Sequence, residues 1–322
     1  MKLPKTYGYL KKDLDSIEKA LYRSIQAEHP ILREASTELV KAGGKRIRPI
    51  FVLLSSQLGD FHLEKVLKLA VSLELIHMAT LVHDDVIDDA TLRRGKPTIK
   101  HQYGNRVAMY TGDYLLARAL EEVTSIKDPR LHQILSKAMV EVCIGEIEQM
   151  KDKFNIDQSI RNYLRRIKRK TALLIAISCQ LGGLVAGLPK EHTNQLYRYG
   201  YYVGMSFQII DDILDFTSTA KELGKPVGND LIQGNITLPV LFAMEDRAFT
   251  ERLQQAFQQK EMEKSEINEL LTMLKRTNAI EKSYEWSNRY LQKALTSLAN
   301  LPDEKAKQIL KDIALYIGKR KY

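Results

Sequence analysis

Residues 81–95 read LVHDDVIDDATLRRG, with carboxylates at Asp84, Asp85, Asp88 and Asp89 and guanidinium groups following at Arg93 and Arg94. Adjacent carboxylates repel, and each raises the pKa of the next. On a helix Asp84 and Asp88 stand one turn apart on one face, with Asp85 and Asp89 a step round. Such a like-charged pair destabilises a helix by about a few tenths of a kcal/mol. A hard divalent cation turns that repulsion into coordination. Mg2+ takes oxygen ligands in octahedral geometry, usually from one or two carboxylates completed by phosphates. The alternative is a solvated acidic helix end.

A second copy weighs against that alternative. FQIIDDILDF places Asp211, Asp212 and Asp215 at the same D-D-x-x-D spacing, among Phe207, Ile209, Ile210, Ile213, Leu214 and Phe216. Carboxylates in so apolar a setting are unfavourable to bury unless paired or metal-bound. One DDxxD is a weak signal, whereas two on separate apolar helices suggest helices facing each other across a cavity with cations between them.

Positive charge is placed in the same style. GGKRIRP contributes Lys45, Arg46 and Arg48 just after a Gly-Gly break. Lys170-Thr171 ends the basic run that starts at Arg161, and Lys225 sits in the loop LGKPVGNDL. Arginine gives bidentate phosphate contacts and lysine a point charge. Carboxylate-held Mg2+ on one side with Lys and Arg on the other is what a diphosphate needs. GGKRIRP lacks the spacing of a P-loop. The first members of the run 161–170 read as a solvated face and Lys170 as a ligand; His77, taken alone, reads as a core histidine, and His83, beside Asp84, stays open between core residue and ligand.

These groups must be held by helices. Nearly every segment shows apolar residues at three- and four-residue spacing, as in LELIHMATLVHDDVIDD and YLLARALEEVTSI. Breaks fall at Gly43-Gly44, Gly95-Lys96-Pro97, Asp128-Pro129 and Gly187-Leu188-Pro189. No run alternates as a strand does, so a sheet is not expected. The reading is all-α: residues 1–322 as a single large helical bundle around a deep central cavity, with the charged part beyond Glu245 as its outer layer.

Residues 171–189 carry no charge and follow RRIKRK, as a membrane span would, but contain Ser178, Gln180 and Gly182-Gly183. A buried core helix is the reading preferred. The net charge of +9 suits nucleic acid, an anionic membrane or an anionic small substrate. Nucleic acid is set aside, because two DDxxD motifs without metal would repel its phosphates. Cys143 and Cys179 make neither a disulfide framework nor a metal spacing, which fits a reducing cytoplasm. The first twenty or so residues have no signal-peptide core, so no export is expected.

GGKRIRP, HDDVIDDATLRRG, RKTALL, GMSFQIIDDILDF and GKPVGND, in this order, resemble the trans-isoprenyl diphosphate synthase family. That resemblance implies an all-α fold and a Mg2+-dependent prenyltransferase, which joins isopentenyl diphosphate head-to-tail to an allylic diphosphate such as farnesyl diphosphate. It implies about three Mg2+ ions held through the two acidic motifs, with Asp84, Asp88 and Asp211 as direct ligands. It assigns Arg93, Lys170, Thr171, Gln208 and Lys225 to the allylic diphosphate. It assigns Lys45, Arg48, His77 and Arg94 to isopentenyl diphosphate, which changes the reading of His77.

The growing chain is then expected to run from Asp84 toward the start of its own helix, past Thr80 and Ala79 to Ile76 and Leu73. Small groups at Ala79 and Thr80 leave the way open, and one isoprene unit is about as long as one helical turn, ~5.4 Å. A product well beyond fifteen carbons follows. Thirty-five carbons, heptaprenyl diphosphate for a menaquinone side chain, rests on the resemblance, which is nearest to two-component members. Those imply a small companion subunit (component I); the near-insolubility of a long polyprenyl product in water points to peripheral membrane contact for its release. Other chain lengths such as hexaprenyl, a class I terpene cyclase and a non-catalytic subunit stay open as alternatives. The DDILD form of the second motif and the presence of GGKRIRP favour elongation.

Overall fold

The structure, a computed structural model, describes residues 6–93, 95–219, 226–258 and 262–319. Arg94, Lys225 and the last three residues of the basic tail therefore lie outside the described residues. The described chain is mostly helical, as the periodicity predicts, and groups into two compact units.

The first unit comprises residues 1–136, 177–197 and 300–310. Its helices include α1 (Thr6–Ser24), α2 (Pro30–Lys41), α3 (Ile47–Ser56), α4 (Leu63–Ile87) and α5 (Ile99–Thr124). α4 packs against α1, α3 and α5, and is buried along much of its length from Val66 to Val82. An element enclosed on several sides has no solvated face to spend polar residues on, so its sequence is apolar all round. Among the described residues α4 is the helix long and apolar enough to cross a membrane. Yet 67% of its most apolar window is buried in the protein, so it reads as a core helix. α5 is two helical pieces joined at Gly104, whose φ of 82° suits glycine. Where strands were not expected, a two-residue antiparallel pair forms: β1 (Leu92–Arg93) and β2 (Lys96–Pro97). Gly95, with φ 74°, lets the chain turn there.

The second unit comprises residues 137–176, 198–299 and 311–322. It contains most of α6 (Pro129–Asp152), α7 (Ile160–Ile167), a π-helical turn at Lys168–Ala172 and the main part of α9 (Lys190–Thr217). Its core is built on Tyr163, Ile209, Ile213 and Phe216, with Phe242, Phe249 and Leu270. The part beyond Glu245 supplies amphipathic helices whose Phe249, Leu253, Leu270 and Leu274 are buried while their charged faces stay exposed. The uncharged run after Lys170 becomes the short helix α8 (Leu173–Val185), preceded by the π-helical turn; only its first four residues belong to this unit, and the rest belong to the first. Its residues Leu173 to Cys179 are buried, as the core-helix reading expects, and thirteen residues are too few to span a bilayer.

Candidate active site

In the first unit the acidic motif closes α4. The backbone N–H of Asp88 donates to the carbonyl of Asp84 at 2.8 Å, so these two residues are one turn apart as their spacing predicts. The helix then stops: Asp88 is the cap, and Asp89 turns left-handed with φ 52°. The carboxylates therefore crowd the negative end of the helix dipole, where cations and not anions are favoured. Two side chains answer that demand. Arg93 Nε donates to Asp85 Oδ1 at 2.7 Å, and Lys100 pairs with Asp89. Asp85 is buried, and burial raises its pKa; Arg93 opposes the rise, while Asp84 and Asp88 add to it. The small hairpin places Arg93, and the Thr98 hydroxyl anchors it by donating to the Ala90 carbonyl at 2.7 Å.

Beside this motif lies a cavity of about 260 Å³ lined by Gly43, Arg46, Glu74, His77, Asp85 and Arg93, among others. It brings His77 and Arg93 together, although the resemblance assigns them to different diphosphates. Of the GGKRIRP cations, Arg46 reaches its wall; Lys45 and Arg48 are not among its lining residues. Arg46 is committed elsewhere. Its guanidinium donates to Glu18 at 2.5 Å, to Glu74 at 3.1 Å and to the Val40 carbonyl at 3.2 Å. It sits at φ 46° just before α3 and fixes the loop that carries its neighbours. Lys45 is half-buried and Arg48 is buried in the first turn of α3. On α4 the chain-length candidates Leu73, Ile76 and Ala79 are buried. Thr80 is half-buried, its hydroxyl donating to the His77 carbonyl at 2.8 Å.

In the second unit α9 exposes Asp211 and buries Asp212 and Asp215. The Tyr163 hydroxyl donates to Asp212 Oδ2 at 2.6 Å, and Gln208 Nε2 donates to Oδ1 at 2.8 Å. The other end of that amide, Gln208 Oε1, accepts from the Thr171 hydroxyl at 2.6 Å. Burial, and next the neighbouring Asp230, push the Asp212 carboxyl well above the ordinary range. Asp215 Oδ2 accepts the backbone N–H of Asp230 at 3.0 Å, and its carbonyl accepts that of Gly228 at 2.8 Å. The GND loop is thereby pinned to the motif.

Lys170 donates to Gln149 Oε1 at 2.9 Å from the π-helical turn, a distortion frequent at functional sites. The same turn holds Arg169 against Glu141 and Glu148, and Gly145 gives it room: a Cβ there would stand 2.6 Å from that of Arg169. One expectation fails here. The early members of the basic run are not all solvated. Arg161 and Arg165 are exposed, but Arg166 is buried and donates to Gln158 and to the Ile236 carbonyl. Its position on α7 turns it inward, and spacing alone does not show that partners wait there.

The structure thus groups Lys170, Thr171, Gln208 and Asp212 in one unit, and His77, Asp85 and Arg93 in the other. It adds Tyr163, Gln149 and Asp230, which the spacing did not single out. Asp230 stands inside the GKPVGND motif, and Tyr163 lies two helical turns before Lys170; nothing in the sequence marks Gln149.

Among the described residues, no three His, Cys, Asp or Glu side chains converge as a ready-made metal centre. The donors are carboxylates at the negative end of α4 and on α9, without the imidazoles and thiolates that softer metals select. This set fits Mg2+, which takes few protein ligands and completes its shell with water and substrate phosphate.

Comparison with known proteins adds three findings. A family model described as Polyprenyl synthetase matches residues 29–274. The chain is 57% identical to the Heptaprenyl diphosphate synthase component 2 of Geobacillus stearothermophilus, with all of both chains covered. It is 56% identical to the protein of the same description from Bacillus subtilis (strain 168), covering all of this chain and 92% of that protein. Among solved structures, Heptaprenyl Diphosphate Synthase from Staphylococcus aureus superposes with a TM-score of 0.94 at 45% identity, covering 97% of this chain and 99% of that one. A decaprenyl diphosphate synthase from Rhodobacter capsulatus does so with a TM-score of 0.93 at 30% identity, covering 98% and 99%.

Proposed function

Because the chain belongs to the polyprenyl synthetase family and is a prenyltransferase, we propose that it is the catalytic component of a two-component heptaprenyl diphosphate synthase. The observation that carries this reading is the pair of complete DDxxD motifs. Each is built into its unit with diphosphate-binding partners beside it: Arg93 and His77 at the first, Lys170, Thr171 and Gln208 at the second.

The roles follow from charge and geometry. Asp84, Asp88 and Asp211 would hold Mg2+, and Asp85, Asp212 and Asp215 set the carboxylates and loops around them. When bound, Mg2+ supplies Lewis-acid stabilisation of the departing diphosphate. Lys170, Thr171, Gln208, Arg93 and Lys225 hold the oxygens of the allylic diphosphate in place as its C–O bond breaks. Lys45, Arg48, His77 and Arg94 hold isopentenyl diphosphate so that its double bond meets the allylic carbon. A carbon–carbon bond forms, and a proton leaves to the released diphosphate. The protein then needs no nucleophile of its own. Ala79 and Thr80 leave room for the growing chain, and Ile76 and Leu73 bound it.

A companion subunit is supported by the relatives' description as component 2 and by the surface of α6. Val140, Cys143, Ile147 and Met150 alternate at three- and four-residue spacing and are exposed, with Ile144 beside them. That is the a/d pattern of a helix seam awaiting a partner helix. Two free cysteines agree with a cytoplasmic location. A long polyprenyl product calls for peripheral contact with a membrane, and a menaquinone side chain is its use.

The test is a product assay with Mg2+, farnesyl diphosphate and labelled isopentenyl diphosphate, with and without the companion subunit. Thirty-five-carbon trans products only with both subunits are expected. Such products from the chain alone would overturn the two-component reading, and no product in either case would overturn elongation.

A further inference from the structure

We infer that Tyr163 is a positioning residue for the allylic diphosphate site, acting through Asp212 to fix the amide of Gln208. The inference rests on the reading that Gln208 and Thr171 meet the allylic diphosphate. Tyr163 lies on α7, forty-nine residues before Asp212, and no part of it is exposed. Its hydroxyl and the Gln208 amide each occupy one oxygen of the Asp212 carboxylate. At 2.6 Å the Tyr163 hydroxyl makes a short hydrogen bond inside the core, where losing a partner is most unfavourable. A second consequence concerns direction. Gln208 turns its NH2 toward Asp212 Oδ1 and its carbonyl toward the Thr171 hydroxyl, which donates to it. Asp212 thereby decides which end of the amide faces Thr171 and where the remaining N–H of Gln208 points.

Tyr163 holds that arrangement from behind. The Arg166 guanidinium lies 5.8 Å from the centre of its ring and is itself fixed by Gln158 and the Ile236 carbonyl. The ring is fully buried. Without the hydroxyl, a buried carboxylate oxygen loses its donor, the Asp212 carboxylate is free to rotate, and the Gln208 amide is no longer held to one orientation.

The test is Tyr163→Phe, which keeps the ring and its packing, in the complex with the companion subunit. The probe is farnesyl diphosphate with Mg2+ and without isopentenyl diphosphate, so that binding is read by calorimetry apart from turnover. The expected result is a Kd for farnesyl diphosphate raised about tenfold, the effect of leaving one buried acceptor without its donor. The KM for isopentenyl diphosphate should stay within about twofold. In a Gln208→Leu background the same substitution should add nothing, because the chain of contacts is already cut. A residue with a merely structural role would instead lower the active fraction and leave the Kd alone. An unchanged Kd, or equal losses in both backgrounds, overturns the inference while leaving the function intact. If the unaltered complex shows no Mg2+-dependent binding of farnesyl diphosphate, the functional reading itself falls. Should Tyr163→Phe not fold, Asp212→Asn probes the same link: a Kd for farnesyl diphosphate that stays unchanged there overturns the inference, and a raised Kd supports it.

Discussion

On the proposed reading, the chemistry asked of Asp84 is to hold a metal that in turn holds a leaving group. Asp84→Ala should cut turnover by roughly two orders of magnitude or more, the scale of losing one key electrostatic group. Incorporation of labelled isopentenyl diphosphate measures it, and unaltered turnover would reject the assignment. Arg46 makes the opposite case. It stands among the cations of GGKRIRP, yet its guanidinium is tied to Glu18 and Glu74. Arg46→Ala leaves Glu74 buried without its cation, and removing one partner of a buried pair destabilises by about 3–5 kcal/mol. Urea unfolding should show that loss; a midpoint unchanged from the parent would mean the pair contributes nothing. The sequence made both residues visible and could not tell them apart. Spacing along one segment exposes a cluster, but the partners that claim Arg46 stand twenty-eight residues away on either side. Tyr163 was hidden for the same reason, since its role exists only through Asp212.

Among elements, α4 carries the most of the argument. Its periodicity, its burial and its acidic end were all legible, because an enclosed helix is apolar all round and its few carboxylates stand out. Where it stops was less so. The D-D-x-x-D pattern continues as if helical, while the backbone turns left-handed at Asp89 and gathers the carboxylates at the end of the dipole. The π-helical turn at Lys168–Ala172 left no mark in the sequence, since one extra residue in a turn changes hydrogen bonding and not composition. It depends instead on Gly145 of α6 allowing Arg169 to come close. α4 also makes a prediction of its own. Ala79 is buried one turn below the acidic motif, on the path that the proposed reading gives the growing chain. Ala79→Phe should shorten the product by one or more isoprene units while leaving the first condensation in place. Chromatography of the dephosphorylated products reads the length, and an unchanged distribution would mean that the chain runs elsewhere.

For the whole molecule, the all-helical class was legible because helical spacing is written locally, residue by residue. The division into two compact units was not: each collects three separate stretches of chain, and nothing local marks where one hands over to the other. Association belongs to this scale too. A chain with a net charge of +9 and a core of its own has no need to leave Val140, Ile147 and Met150 half or more exposed on one line of α6. Half-exposed as they are, each such side chain still has about 1 kcal/mol to gain on full burial, so the line is a cost in a free chain and a source of affinity in a complex. The double substitution Val140→Glu and Ile147→Glu places two carboxylates on that seam. It should weaken binding of the companion subunit by about two orders of magnitude or more, while thermal unfolding of the isolated chain stays within a few degrees. Size-exclusion chromatography with light scattering separates the outcomes. Loss of the complex together with loss of long-chain product would tie the seam to the assembly that makes it. A complex that survives both charges would place the companion subunit on another face, and leave the exposed seam of α6 to a second copy of this chain.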